Sequence, residues 1–239
     1  PNASEFNNEP RFELAAYEIQ KLFLAEPELA VPPTVLRAFP LEYVRERIPH
    51  ATATFREAPR SVLVALQYWL MGVTPENFWD ARRARSDTVY ARHIGNFNIV
   101  THLIRHHDAN VGNFLISENP ENPRVFAVDN GVAFSAPVSN RGHMWRDLQV
   151  RQLPGHTVER LRLVTREDLD RALGVLAEWE VHDGILVRVP PGENMSPGRG
   201  VRRSSQRIQV GLTSQEINGV ENRIRQLLRR VDEGRIETF

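Results

Sequence analysis

The chain has 239 residues, enough for one large domain or two small lobes. Lysine plus arginine balance aspartate plus glutamate at 30 each, so no net field draws the whole molecule to nucleic acid or an anionic membrane. There is no cysteine, which excludes disulfides, thiolate metal sites and cysteine nucleophiles.

No apolar run approaches the roughly 20 residues that span a bilayer, and no signal peptide is visible. A soluble protein without a transmembrane segment is expected, either cytoplasmic or exported. Lys21 is the only lysine, and the dominance of arginine fits a GC-rich bacterial coding sequence.

Residues 1–10 are polar and turn-rich and read as a tail. From Arg11 the apolar residues Phe12, Ala15, Ala16, Ile19, Leu22 and Phe23 recur at helical spacing, predicting a helix that ends near Ala25. Val31-Pro32-Pro33-Thr34-Val35 follows as an extended segment. Residues 37–58 carry weak strand or loop character. Pro59 to Met71 reads as a buried helix through Val62, Leu63, Ala65, Leu66, Trp69 and Leu70. Thr74-Pro75 reads as the start of another helix, and Arg82, Arg83 and Arg85 as a solvated basic face.

A helix over Ile94–Ile104 leads into the most informative stretch, Thr101 to Ser135. Beyond it, Trp145-Arg146-Asp147-Leu148 reads as a short helical piece in a loop. Thr165 with Asp168 forms a capping box opening a helix that runs to about Trp179. Residues 190–206 are rich in Pro, Gly, Ser and Arg and read as a flexible loop. A second capping box, Thr213 with Glu216, opens an amphipathic helix through Ile217, Val220, Ile224, Leu227, Leu228 and Val231. The expected fold is α+β and predominantly helical, with a few short strands near the middle.

Within Thr101–Ser135, Asp108 stands five residues before Asn113, and Asp129 opens an Asp129-Asn130-Gly131 turn after the apolar run Val125–Val128. Taken singly, each polar residue has a structural explanation as a cap or turn residue. Together they form an ordered set suited to phosphoryl transfer. One carboxylate orients a hydroxyl, while an amide oxygen and a second carboxylate hold a divalent metal against phosphate oxygens.

This order resembles the catalytic core of the protein-kinase-like superfamily. The Asp-Asn-Gly turn is similar to that of type II phosphatidylinositol 4-kinases within the phosphatidylinositol 3/4-kinase-like proteins. It is also similar to that of the secretory-pathway kinases related to the Golgi casein kinase and four-jointed. Glu13-Leu14-Ala15-Ala16-Tyr17 followed by Val31-Pro32-Pro33 resembles the helix-C region of that secretory group. The resemblance covers residues 11–36 and 94–135.

It implies a kinase-like C-lobe over 59–239, and over 1–58 a helix C with little or no remaining N-lobe sheet. It implies Asp108 as the catalytic aspartate, Asn113 and Asp129 as ligands of Mg²⁺ or Mn²⁺, and Glu13 as the helix acid that positions a phosphate-binding lysine of the ATP site. Glu18 is the second choice for that acid. The acceptor would be a protein, lipid or small-molecule hydroxyl. The chain departs from the family in two ways: His106-His107-Asp108 replaces the common His-Arg-Asp, and neither a Gly-rich loop nor a lysine precedes the helix. A missing first part of the N-lobe is the expectation.

Two further readings stand beside this one. His102 and His106 lie four apart on an expected helix and could present two imidazoles to zinc, although the glutamate that usually adjoins the first histidine is replaced by Leu103. A catalytically inactive, pseudokinase-type binding module is the other, with the Arg199–Arg203 loop or the last helix as its partner surface. Ser204 and Ser205 after Arg202-Arg203 also read as a candidate phosphorylation site, and His143 and Asp147 as candidates for the border of a substrate groove.

Overall fold

The computed structural model describes residues 9–134 and 144–239. Over these residues the fold is α+β, with helix at 37% and strand at 21%, so strand takes a larger share than the sequence pattern led us to expect. No helix among the described residues is long and apolar enough to cross a membrane. Of the expected tail over 1–10, residues 1–8 lie outside the described residues, as do Ser135 and His143, and Pro10 already opens the first helix.

The first helix, α1 (Pro10–Gln20), places Pro10 in its first turn, where the missing N–H costs nothing. It buries Phe12, Ala15, Ala16 and Ile19. Gln20 then fixes the returning chain: its Oε1 accepts from the N–H of Ala30 and Val31, and its Nε2 donates to the Val31 carbonyl at 2.8 Å.

The next strands, β1 (Thr34–Pro40) and β2 (Ser61–Gln67), form an antiparallel pair with Thr34 opposite Gln67 and Pro40 opposite Ser61, the short helix α2 (Leu41–Arg45) lying between them. The helix expected over Pro59–Met71 is therefore a strand and an extended segment. Val62 and Val64 are β-branched, stiff at χ1 and suited to a pleated surface, and β1 supplies the partner. Trp69, expected in the core, is 82% exposed. The pairing also crosses residue 58, the expected domain boundary.

A second small sheet runs β3 (Val73–Thr74), β4 (Phe114–Ser117), β5 (Val125–Ala127), all antiparallel. No helix starts at Pro75; Thr74 sits in β3, with its hydroxyl accepting from Glu76 N–H at 3.1 Å. A one-turn helix, α3 (Arg83–Ser86), precedes the long helix α4 (Thr88–Ile104). Asp87 caps α4 by accepting from Tyr90 N–H at 3.0 Å. From His93 onward every residue of α4 is buried. Gly95 is needed there because a Cβ would stand 2.7 Å from Pro154 Cδ. Phe97 meets Phe114, Phe78 and Trp145 in an aromatic cluster with ring centroids 4.8 to 6.1 Å apart, joining α4 to β4.

The remainder comprises β6 (Gln152–Leu153), α5 (Gly155–Leu163), α6 (Arg166–Leu173), β7 (Ala177–His182), β8 (Ile185–Val189), β9 (Val201–Arg203), β10 (Arg207–Val210), α7 (Ser214–Asp232) and β11 (Glu237–Thr238). Strands β8, β7, β10 and β9 make a four-stranded antiparallel sheet, and β11 pairs in parallel with β6. Both capping boxes form as read. Helix α6 stops at Leu173, however, and Trp179 is buried in β7.

The loop expected over 190–206 contains β9, and Arg202 is buried there. Its guanidinium donates to the carbonyls of Gly174, Leu212 and Ser196 at 2.6 to 2.8 Å, so it is a fixed part of the fold rather than a recruiting cation. The Ser204 hydroxyl is turned inward on its own loop, accepting from Arg207 N–H at 2.9 Å.

One buried ion pair ties the first helix to the last. Arg11 donates to both Glu216 carboxylate oxygens, at 2.7 and 2.8 Å, while Glu216 also accepts from Thr213 N–H as part of its capping box. Gly200 leaves the room, since a Cβ there would sit 2.5 Å from Arg11 Cζ. Removing one partner strands the other charge, so Arg11→Ala should lower unfolding free energy by about 3 to 5 kcal/mol. Arg11→Met combined with Glu216→Gln should recover part of that loss. Urea unfolding of both variants checks this.

Candidate active site

The site begins where α4 ends. Arg105 takes a left-handed conformation (φ 51°), and the N–H groups of Arg105 and His106 return to the carbonyls of His102 and Thr101. The chain then reverses under the helix. His107 N–H donates to Val132 O at 2.9 Å and Phe134 N–H to Ile104 O at 2.6 Å, so the loop after α4 and the turn after β5 are fastened together.

Inside this frame two amides hold Asp108. Asn113 Nδ2 donates to the Asp108 carbonyl at 2.9 Å and to its Oδ2 at 3.3 Å. Asn110 Nδ2 donates to Asp108 Oδ1 at 3.0 Å. Asn110 was not among the residues singled out from the sequence; an Asn two residues after an Asp in a turn is the signal that would have found it. Because Asn113 spends its NH₂ on Asp108, its Oδ1 is the end that remains for a cation.

Asp129 is brought alongside by the backbone. Val128 N–H donates to Asn113 O at 2.9 Å, one residue before Asp129. Asp129 is itself left-handed, with φ 55°, a conformation that Asp tolerates better than bulkier residues. Burial raises its pKa, and the charge of Asp108 adds to the rise. Asn130 is fully buried, with Nδ2 donating to Ala127 O at 3.3 Å and to Glu13 Oε2 at 3.4 Å. Glu13 thus faces the same turn from α1. Burial raises its pKa as well; hydrogen bonds from Asn130 and Gly131 oppose the rise and the charge of Asp129 reinforces it.

Glu13 and Asp129 close one end of a cavity of about 990 Å³. Its other walls are mainly apolar and include Ala65, Leu70, Val73 and Leu115, with Tyr68 and Trp69 at the segment between β2 and β3. No lysine, arginine or histidine lines it among the described residues. The one lysine, Lys21, is bound to Glu18 and lies 4.7 Å over the Tyr17 ring. Glu13 lines the cavity, whereas Glu18, the second choice for the helix acid, is not among its lining residues.

The zinc arrangement is not formed. Helix α4 ends before His106, so the two histidines are not one turn apart on a helix. His102 Nδ1 lies 3.3 Å from Arg146 O and His106 Nε2 3.4 Å from Val128 O. Burial holds both of them, and His107, down to about 4, so all three are neutral at pH 7. Among the described residues no group of three or more His, Cys, Asp or Glu side chains is gathered to hold a metal. The oxygen set of Asn113 and Asp129 fits a hard cation that keeps positions for phosphate oxygens and water. Asp147 is exposed, its main-chain oxygen accepting from Asn98 Nδ2 at 3.0 Å. Comparison with protein-family models and with curated proteins finds no match.

The pKa shifts give opposing pH dependences. Neutral buried histidines contribute stability above their unfolded value of 6.5 that is lost as pH falls toward 4. A carboxyl with a raised pKa does the reverse: the folded state favours its protonated form, and stability is lost as pH rises above 4.5 through the folded value. The three histidines carry the larger shifts, so thermal stability should fall between pH 6.5 and 4. Glu13→Gln should raise the thermal midpoint at pH 7 and change it little at pH 4, which thermal melts across this range will show.

Proposed function

We propose that this chain is an ATP- and metal-dependent phosphotransferase that acts on a hydroxyl acceptor, with a kinase-like arrangement of its two halves. The observation that carries the reading is Asn113: its side chain clamps Asp108 and its main chain pairs with Val128, which ties the Asp108 loop to Asp129, itself at the acidic end of a mainly apolar cavity that Asp108 does not line. In this reading α1 stands where helix C stands in kinases, the β1–β2 pair belongs to the smaller lobe, and the mixed α and β remainder is the C-lobe.

Asp108 would orient the acceptor hydroxyl and accept its proton, with Asn110 and Asn113 fixing the carboxylate. Asn113 Oδ1 and Asp129 would hold Mg²⁺ or Mn²⁺, which supplies charge neutralisation at the phosphates when bound. The apolar walls around Leu70, Val73 and Leu115 would receive the adenine. Glu13 and Asp129 have raised pKa values at a wall without a cation, an arrangement that favours binding a positive charge there.

The lack of a cationic side chain at the cavity, among the described residues, also supports a second reading, a nucleotide-binding module without catalysis. Transfer of label from γ-labelled ATP to a panel of protein, lipid and small-molecule hydroxyls separates the two. The proposal expects metal-dependent labelling of one class, lowered by about 10² to 10⁴ in Asp108→Asn with nucleotide binding retained. Nucleotide binding without transfer to any acceptor would favour the binding module.

A further inference from the structure

We infer that a second cavity, remote from Asp108 and Asp129, binds a small molecule carrying a polyphosphate group. The cavity measures about 920 Å³, within the range of ligand pockets. Its walls come from Ala91 and Ile94 on α4, from residues 148–152, and from the end of α7 with the chain that follows. The catalytic loop leaves the opposite end of α4, roughly 15 to 20 Å away along the helix axis.

The charge of this cavity is one-sided. Arg85, Arg151, Arg230 and Arg235 line it, against one side-chain carboxylate, Glu237. Glu237 is already engaged, accepting from Gln152 Nε2 at 2.9 Å, and the Phe239 main-chain oxygen accepts from Gly155 N–H at 2.8 Å. Arg235 pairs with Glu233 outside the cavity wall. Arg85, Arg151 and Arg230 have no ion-pair partner among the described residues.

Those three arginines reach one cavity from α3, the 148–152 segment and α7, so sequence neighbours do not explain their common wall.

Guanidinium forks match phosphate oxygens two at a time, and three of them from separate directions suit a chain of phosphates better than a single carboxylate. Trp79, 36% exposed and held edge-on by Trp145 at 5.2 Å, gives an apolar wall for the rest of the molecule. The basic residues sit in a concavity and not along a stripe, and the whole chain is neutral, which argues for a compact ligand over a nucleic-acid track.

The test is calorimetric titration of sodium tripolyphosphate into the full chain in metal-free buffer with chelator. The wild type should bind saturably, and Arg151→Ala with Arg230→Ala should weaken binding about tenfold or more. The charge-matched control, Arg225→Ala with Arg229→Ala, lies outside the cavity and should leave it unchanged. Asp129→Ala should bind tripolyphosphate like the wild type, so the outcome is independent of the proposed nucleotide site. No saturable binding by the wild type, or equal weakening in the control, would overturn the inference. A phosphoserine peptide that binds more tightly than tripolyphosphate would overturn the assignment to a small molecule. An unchanged thermal midpoint in the Arg151→Ala with Arg230→Ala variant, expected because neither arginine has an ion-pair partner among the described residues, confirms that it folds.

Discussion

Two carboxylates of raised pKa, Glu13 and Asp129, face one cavity from different elements, and no basic side chain lines that cavity among the described residues. Taking a carboxylate out of water disfavours its charged form, and placing a second beside it adds to the cost. The fold therefore has to hold both against their tendency to move apart or protonate. Asp129 is held by backbone: Val128 is tied to Asn113, Ala127 N–H donates to Ala30 O in the segment between α1 and β1, and Gly131 O accepts from Glu9 N–H at 3.0 Å. Glu13 is held by its helix, which the Arg11–Glu216 pair fixes to the start of α7 two residues earlier in sequence. A cation arriving between the two carboxylates would relieve the same repulsion that the fold sustains in its absence.

The rigidity behind that geometry comes from α4. Its buried length, the Phe97 aromatic contacts with Phe78, Phe114 and Trp145, and the side-chain amide of Asn98 fix what flanks the site. Asn98 Oδ1 accepts from Gln149 N–H at 2.7 Å and its Nδ2 donates to Asp147 O, so the segment after the Asp-Asn-Gly turn is laid along the helix. Of the non-glycine residues with positive φ among those described, Arg105, Asp129 and Phe134 lie at the loop after α4 or the turn facing it. Each such conformation costs on the order of 1 to 2 kcal/mol, and its concentration here is the pattern expected where geometry serves a site.

Local signals were legible in the sequence and long-range ones were not. The two capping boxes, the start of α1, the end of α4 and the apolar stripe of α7 are each written within about a dozen residues, and each formed. The order Asp108, Asn113, Asp129 was equally readable, because its spacing reflects one loop and one hairpin. The segment 61–67 was misread because a run of consecutive apolar residues satisfies helix and strand alike, and its partner β1 lies far back in the chain. Trp69 followed the same error out of the core. Arg202 looked like a solvated loop cation, since nothing near it in sequence announces the carbonyls of Gly174 and Leu212. The second cavity was invisible for a related reason: its arginines, at 85, 151, 230 and 235, meet only after α4 and α7 have packed.

The account rests on Asp129 and Asn113 serving as an oxygen pair for a divalent cation that carries nucleotide into the neighbouring cavity. Titrating ATP into the protein by calorimetry, with and without Mg²⁺ or Mn²⁺, tests it directly when wild type and Asp129→Ala are compared. The account predicts metal-dependent binding by the wild type that disappears in a folded Asp129→Ala variant. Nucleotide binding of equal strength in both proteins, or none by the wild type with either metal, would contradict it.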